Sequence, residues 1–297
     1  MPDNKPYDEA NEFEFQGAGD IGIVRTGMKQ PEAFNLALAP FPQNLMWEMK
    51  DICTVINDPN RIPRRRLFDL TNGWLISQGR RSSCNAYAMA GAKMRLDWFA
   101  DMSPVTSASV VRYYAPEYNY MRINGGRDQG SMLDDGAESG EKHGFYPKDG
   151  GMIPYESYQW DRIGFDKKMQ VEGSAKEHRF LEAYRLPITS HAEYMQAMAS
   201  AICNDFQIVM ALHVGNAYMQ NGGVDRGPGN HAVGVDDVLT GGRMLTNPLD
   251  LCFDQYGSWN LHHGDKGRVK VVAGHSEQCY KIHVTYAIRG IPDKIAA

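Results

Sequence analysis

Ser77-Gln78-Gly79-Arg80-Arg81-Ser82-Ser83-Cys84-Asn85-Ala86-Tyr87-Ala88 is a polar, glycine-containing turn that runs directly into an Ala/Met-rich segment ending near Phe99. After Cys84, small and apolar residues follow almost without a break (Ala86, Ala88, Met89, Ala90, Ala92, Met94, Leu96), with no proline and no β-branched run. That pattern predicts a buried helix beginning at Cys84, and Ser82 and Ser83 are suitable N-caps for it. A thiol in the first turn sits at the positive end of the helix macrodipole, which favours thiolate and so a nucleophile. Gln78 lies six positions upstream. Its amide, folded back across the turn, is placed to donate to an oxygen beside the sulfur, and with the backbone N–H of Cys84 it would make an oxyanion hole. A buried, inert cysteine at a helix start is the competing reading of the same residues.

A second stretch answers the first. Ser190 and Glu193 form a capping box for a helix through about Cys203. Strand-like alternation then runs through Gln207-Ile208-Val209-Met210-Ala211-Leu212-His213-Val214. Tyr218-Met219-Gln220-Asn221-Gly222-Gly223-Val224 follows, and then Gly229-Asn230-His231-Ala232-Val233-Gly234-Val235. A lone histidine entering a Val-rich strand, as His231 does, reads by itself as a satisfied core residue.

Together these residues resemble the papain-like cysteine peptidases (C1 family), as a divergent, disulfide-poor member of bacterial or phage type. The Gln-Gly pair, its spacing to the cysteine and the preceding Ser are kept, whereas Arg81, Ser82 and Asn85 depart from the family's C-G-[SA]-C-[WY] signature. The likeness spans most of 61–272. It implies an α+β fold with a mainly helical subdomain (about 75–180), a β-barrel-like subdomain (about 181–297) and a cleft between them. It also implies Cys84 as nucleophile, His231 as base and Gln78 as oxyanion donor. Gly130, in Asp128-Gln129-Gly130-Ser131-Met132-Leu133, matches the glycine wall along which a peptide backbone pairs, since no Cβ blocks the approach. Ser83 and Asn230 are further substrate-contact candidates. No cofactor is implied, and the expected partner is a peptide or protein substrate. Asn85 and Arg80-Arg81 are expected to make the cleft polar and to favour acidic or polar substrates.

The third position departs. Where the family has an Asn that orients the imidazole through its Nδ1 side, this chain has Gly257, in Gly257-Ser258-Trp259-Asn260-Leu261-His262-His263-Gly264-Asp265-Lys266-Gly267. Asn260, Asp254, Asn247 or a backbone carbonyl are the alternatives. His262 and His263 with Asp265 have metal-ligand chemistry, but adjacent histidines in an extended stretch point to opposite faces, so no metal site is expected.

Composition narrows the rest. The chain has 297 residues, 42% of them hydrophobic, and a net charge of −5, which argues against nucleic acid as the main partner. Met1-Pro2-Asp3-Asn4 lacks a signal-peptide pattern and no apolar run reaches a membrane span, so a cytoplasmic or virion-associated location without membrane contact is expected. Five widely spaced cysteines support neither a disulfide framework nor a zinc pattern. Residues 1–60 read as an N-terminal arm, either like a pro-segment or for assembly partners. An acidic tail to about residue 20 is followed by an amphipathic helix over 44–57 carried by Leu45, Met46, Met49, Ile52, Cys53 and Ile56. Arg61, Arg64, Arg65 and Arg66 read as a solvated linker edge or as a processing or salt-bridge patch before the papain-like domain of 61–297. Two alternatives to a peptidase stay open: a weakened or inactive structural or binding protein of a virion or other large assembly, and an acyl-transferring crosslinker or amidase sharing the same thioester.

Overall fold

The computed structural model describes residues 39–61, 63–64, 78, 81–101, 112–124, 130–148, 164–224, 229–258, 265, 267–277, 279–281 and 285–289. The acidic tail, Arg65, Arg66 and the histidine pair at 262–263 lie outside them. In chain order the elements are α1 (Met49–Ile56), α2 (Cys84–Asp101), α3 (Pro116–Asn124), α4 (Leu133–Lys142), α5 (Phe165–Lys176), β1 (Glu182–Arg185), α6 (His191–Cys203), β2 (Gln207–Val214), α7 (Asn216–Asn221), β3 (Gly229–Leu239), β4 (Cys252–Tyr256), β5 (Arg268–Val272), α8 (Ala273–Ser276) and β6 (Tyr286–Arg289).

The strands form one antiparallel sheet in the order β1-β6-β2-β3-β4-β5. It is open, which corrects the expected barrel-like form. Closure would need β1 to pair with β5, but the outer edge of β1 is taken by residues 39–41: Phe41 N–H donates to Arg185 O (2.8 Å) and Arg185 N–H to Ala39 O (3.0 Å). β2 is apolar on both faces because it separates two cores. Ile208, Met210, Leu212 and Val214 pack with α1 and α6, while Val209 and Ala211 pack with α2. Helix α2 is buried on every side from Cys84 to Leu96, enclosing the polar side chains of Asn85, Lys93 and Arg95 along with its apolar ones. Gly91 lets it close on the sheet, since a Cβ there would stand 2.8 Å from the Tyr256 ring.

Helix α1 is shorter than the spacing predicts, although its apolar residues reach the same core. Side chains of α6 draw the preceding backbone out of the helix: Trp47 N–H donates to Ser200 Oγ (3.0 Å), Gln196 Nε2 to Trp47 O (2.8 Å) and Asn204 Nδ2 to Leu45 O (2.9 Å). Residues 39–57 are thereby packed against β1, α6 and the core that these share with β2.

Helix α6 has the Ser190 half of the predicted capping box, Glu193 N–H donating to Ser190 Oγ (3.1 Å), while the Glu193 carboxylate accepts from Thr189 Oγ1. At its other end Asp205 adopts a left-handed conformation (φ 64°), and Phe206 N–H bonds Ala201 O (2.9 Å), a Schellman closure. Here the basic run is corrected. Arg64 is 3% exposed and donates to Ile202 O (2.6 Å) and Phe206 O (2.5 Å), and Arg61 pairs with Asp237 (2.6 Å). Both are structural cations, Arg64 at the negative end of a helix. No helix among the described residues is long and apolar enough to cross a membrane.

Candidate active site

Cys84 is the first residue of α2, and Tyr87 N–H donates to Ser83 O (3.2 Å) as the helix begins. The Cys84 sulfur accepts the backbone N–H of Ala232 at 3.5 Å, so the thiol abuts the residue that follows His231 on β3. Both Cys84 and His231 are 0% exposed. The macrodipole expectation is reversed in this buried state. Desolvation pushes the Cys84 thiol up to about 12, outweighing the pull of the N–H groups of Ala232, Asn85 and Cys84 itself.

His231 stands opposite Leu212 in the β2–β3 ladder, and β4 begins to pair with β3 only at Gly234↔Tyr256. Gly257, just past the end of β4, occupies the room beyond: a Cβ on it would stand 3.9 Å from His231 Nε2. The missing side chain therefore faces the imidazole at its Nε2 edge rather than the expected Nδ1 edge. Two candidate substitutes are committed elsewhere. Asp254 accepts from Arg268 Nε (3.1 Å) and Nη2 (2.6 Å), and Asn247 Oδ1 accepts Leu249 N–H (3.1 Å). Asn260 lies outside the described residues.

Gln78 is held by the residue after Gly257. Its N–H donates to Ser258 O (2.6 Å), Ser258 Oγ donates to its Oε1, and its Nε2 donates to Arg81 O (2.5 Å). A chain of neighbours thus runs from Cys84 through the His231-Ala232 step and Gly257-Ser258 to Gln78. The polar tie of Ser258 to Gln78 is non-local and leaves no sequence signal.

Ser83 is buried, and its hydroxyl has no hydrogen-bond partner among the described residues. Gly130 is buried with φ 79°, a conformation that favours glycine, and its N–H donates to Tyr120 Oη (3.4 Å). Asn230 stands opposite His213 in the ladder, its side chain outside the description. Asn85 does not line a polar cleft. It is fully buried, its Nδ2 donating to Ser131 Oγ (3.0 Å) and Met132 O (2.6 Å). Among the described residues no group of three His, Cys, Asp or Glu is placed to hold a metal ion.

Sequence reasoning also missed a buried charge quartet between α2 and strands β3, β4 and β5. Arg95 Nε donates to Asp236 Oδ1; Arg268 Nη1 and Nη2 donate to Asp236 Oδ2 (both 2.8 Å), and its Nη2 and Nε donate to Asp254. Its signals were an Arg inside an Ala/Met helix and an Asp-Asp step inside a Val-rich strand.

The architecture is that of the papain-like cysteine proteases. Xylellain, a cysteine protease from Xylella fastidiosa, superposes with a TM-score of 0.59 at 15% identity, covering 94% of this chain and 99% of that one. The bromelain protease from Ananas comosus, in complex with the E64 inhibitor, gives 0.52 at 14% identity over 77% and 98%. ProCathepsin B S9 from Trypanosoma congolense gives 0.51 at 14% over 91% and 93%. At these identities the likeness is one of fold. No family model matches the chain, and no curated protein matches it.

Proposed function

We propose that the protein is a cysteine peptidase whose nucleophile is Cys84 and whose base is His231. The reading is carried by the contact of the Cys84 sulfur with the N–H next to His231, at the start of a buried helix. The named fold neighbours, all cysteine proteases or their precursors, support the reaction class. The Cys84 thiolate attacks a peptide carbonyl carbon, with the imidazolium of His231 as counter-ion. Gln78 Nε2 and the Cys84 N–H steady the oxyanion, and His231 protonates the departing amine as the C–N bond breaks. Water, giving a proton to His231, then hydrolyses the thioester and returns the thiol. Gly130, Ser83 and Asn230 are the substrate contacts in this proposal, Gly130 through its carbonyl, since its N–H is turned to Tyr120.

Both groups are fully buried, and Gly257 supplies no orienting group. These two observations favour a second reading, a weakened or latent site in a binding protein. Alkylation with iodoacetamide or a thiol-directed epoxide at pH 5–6, followed by mapping, separates the two. Selective modification of Cys84 is expected; labelling no faster than at Cys53, Cys203, Cys252 and Cys279 sinks the catalytic reading. Partition of the acyl group between water and an added primary amine then distinguishes hydrolysis from transfer.

Gly257→Asn is expected to raise kcat about 10-fold or more, because an amide there reaches Nε2 and holds the ring against the thiol. The measurement is kcat on a peptide ester, and an unchanged or lower value would mean that the ring is oriented from elsewhere.

A further inference from the structure

Asn85 is the residue after the nucleophile, and the reaction above gives it no task. Its side chain nevertheless joins two parts of the site that belong to different elements. Both protons of its amide nitrogen are spent on one loop, on Ser131 Oγ (3.0 Å) and Met132 O (2.6 Å), immediately after Gly130. Gly136, in the first turns of α4, is pressed so closely on the Asn85 amide that a Cβ there would collide with it. From the other side the same loop is held by Tyr120 of α3, whose hydroxyl accepts the Gly130 N–H (3.4 Å). The wall is braced between two fully buried polar side chains, Asn85 and Tyr120, and the Asn85 brace springs from the backbone of the nucleophile's own helix turn.

We propose that Asn85 is a substrate-positioning residue: by tying Ser131 and Met132 to the first turn of α2, it sets the standing of the Gly130 wall relative to the Cys84 sulfur. The inference rests on the peptidase reading. Its consequence is selective, because only a ligand long enough to lie along the wall feels the brace. A small reagent that meets the sulfur alone does not.

The test compares Asn85→Ala with the unaltered chain against two thiol reagents, iodoacetamide and an epoxide carrying an extended peptide, and against an extended peptide ester. Loss of two hydrogen bonds, each modest in net worth, is expected to raise the half-saturating concentration of the peptidyl epoxide and the ester KM about tenfold. The iodoacetamide rate at Cys84 and the ester kcat should change less than about twofold. Ser131→Ala, which removes one of the two bonds and no backbone contact, should give a smaller rise in the same direction and guards against a misfolded Asn85 variant. Equal losses with the small and the extended reagent, or an unchanged half-saturation in both variants, would overturn the inference. Failure of the unaltered chain to label selectively at Cys84 would instead overturn the peptidase reading, and the inference with it.

Discussion

Replacing His231 by alanine is expected to lower peptide hydrolysis by about 10³–10⁴-fold and to move the reactivity of Cys84 into the alkaline range. The physical reason lies in the burial of the sulfur. Desolvation pushes its thiol up to about 12, so without a cationic neighbour roughly one molecule in 10⁵ carries the thiolate at pH 7. The N–H of Ala232 and the start of α2 are already counted in that balance and do not reverse it. In the proposed mechanism a charged imidazole stabilises the anion, and His231 is one residue from the N–H that touches the sulfur. Protonation of a thiol is lost as pH rises through its pKa. In His231→Ala the alkylation rate should therefore climb about tenfold per pH unit from 6 to 9 without a plateau. The unaltered chain should keep a plateau on the acid side. A plateau in the variant would mean that some other group activates the thiol.

What the chain discloses before folding follows from the range of the forces involved. The start of α2 at Cys84, the span of β2 and the Ser190 cap are set within a turn or a strand, by runs of small apolar residues, by alternation and by a hydroxyl three residues from its partner N–H. They were legible. The open sheet was not, because what blocks closure is pairing between residues 39–41 and Arg185, far apart in sequence. Arg64 looked solvated because charge runs ordinarily are; its partners are helix-end carbonyls at Ile202 and Phe206, which no local pattern reveals. Asn85 reads as a cleft residue because it stands where the resembled family has an aromatic one. Successive residues on a helix point about 100° apart, and that rotation aims it at α4, where Gly136 leaves the space. The site follows the same division. Cys84, His231 and Gly257 carry sequence order that brought them forward, whereas Ser258, Arg95 and Asp236 act through tertiary contacts alone.

Asp236→Ala is the substitution expected to cost most in stability, about 3–5 kcal/mol. Asp236 is fully buried and divides its carboxylate between two cations, Arg95 of α2 through Oδ1 and Arg268 of β5 through Oδ2. Removing it leaves Arg95 without its carboxylate in the interior, whereas Arg268 keeps Asp254 at 2.6 Å. Hydrophobic burial elsewhere does not offset an uncompensated interior charge. Nearby, the Tyr256 ring lies against Gly91 and Gly234, its hydroxyl donates to Ala88 O (3.3 Å), and the Arg95 guanidinium covers it at 3.5 Å. The quartet and this tyrosine therefore pin α2 to β3, the two elements whose ends bring Cys84 to Ala232. A fall in Tm of roughly 6–20 °C is expected on thermal denaturation of a chain this size. Asp254→Ala should cost clearly less, since both arginines then retain Asp236. Equal losses for the two variants would place the weight on the Arg268–Asp254 arm instead. The double change Arg95→Met with Asp236→Leu, which removes the cation together with the anion, should recover part of the loss. Because the same interface sets the approach of sulfur to strand, Asp236→Ala should also slow Cys84 alkylation at temperatures where circular dichroism still reports the native fold. Native-like alkylation there would separate the charge quartet from the geometry of the site.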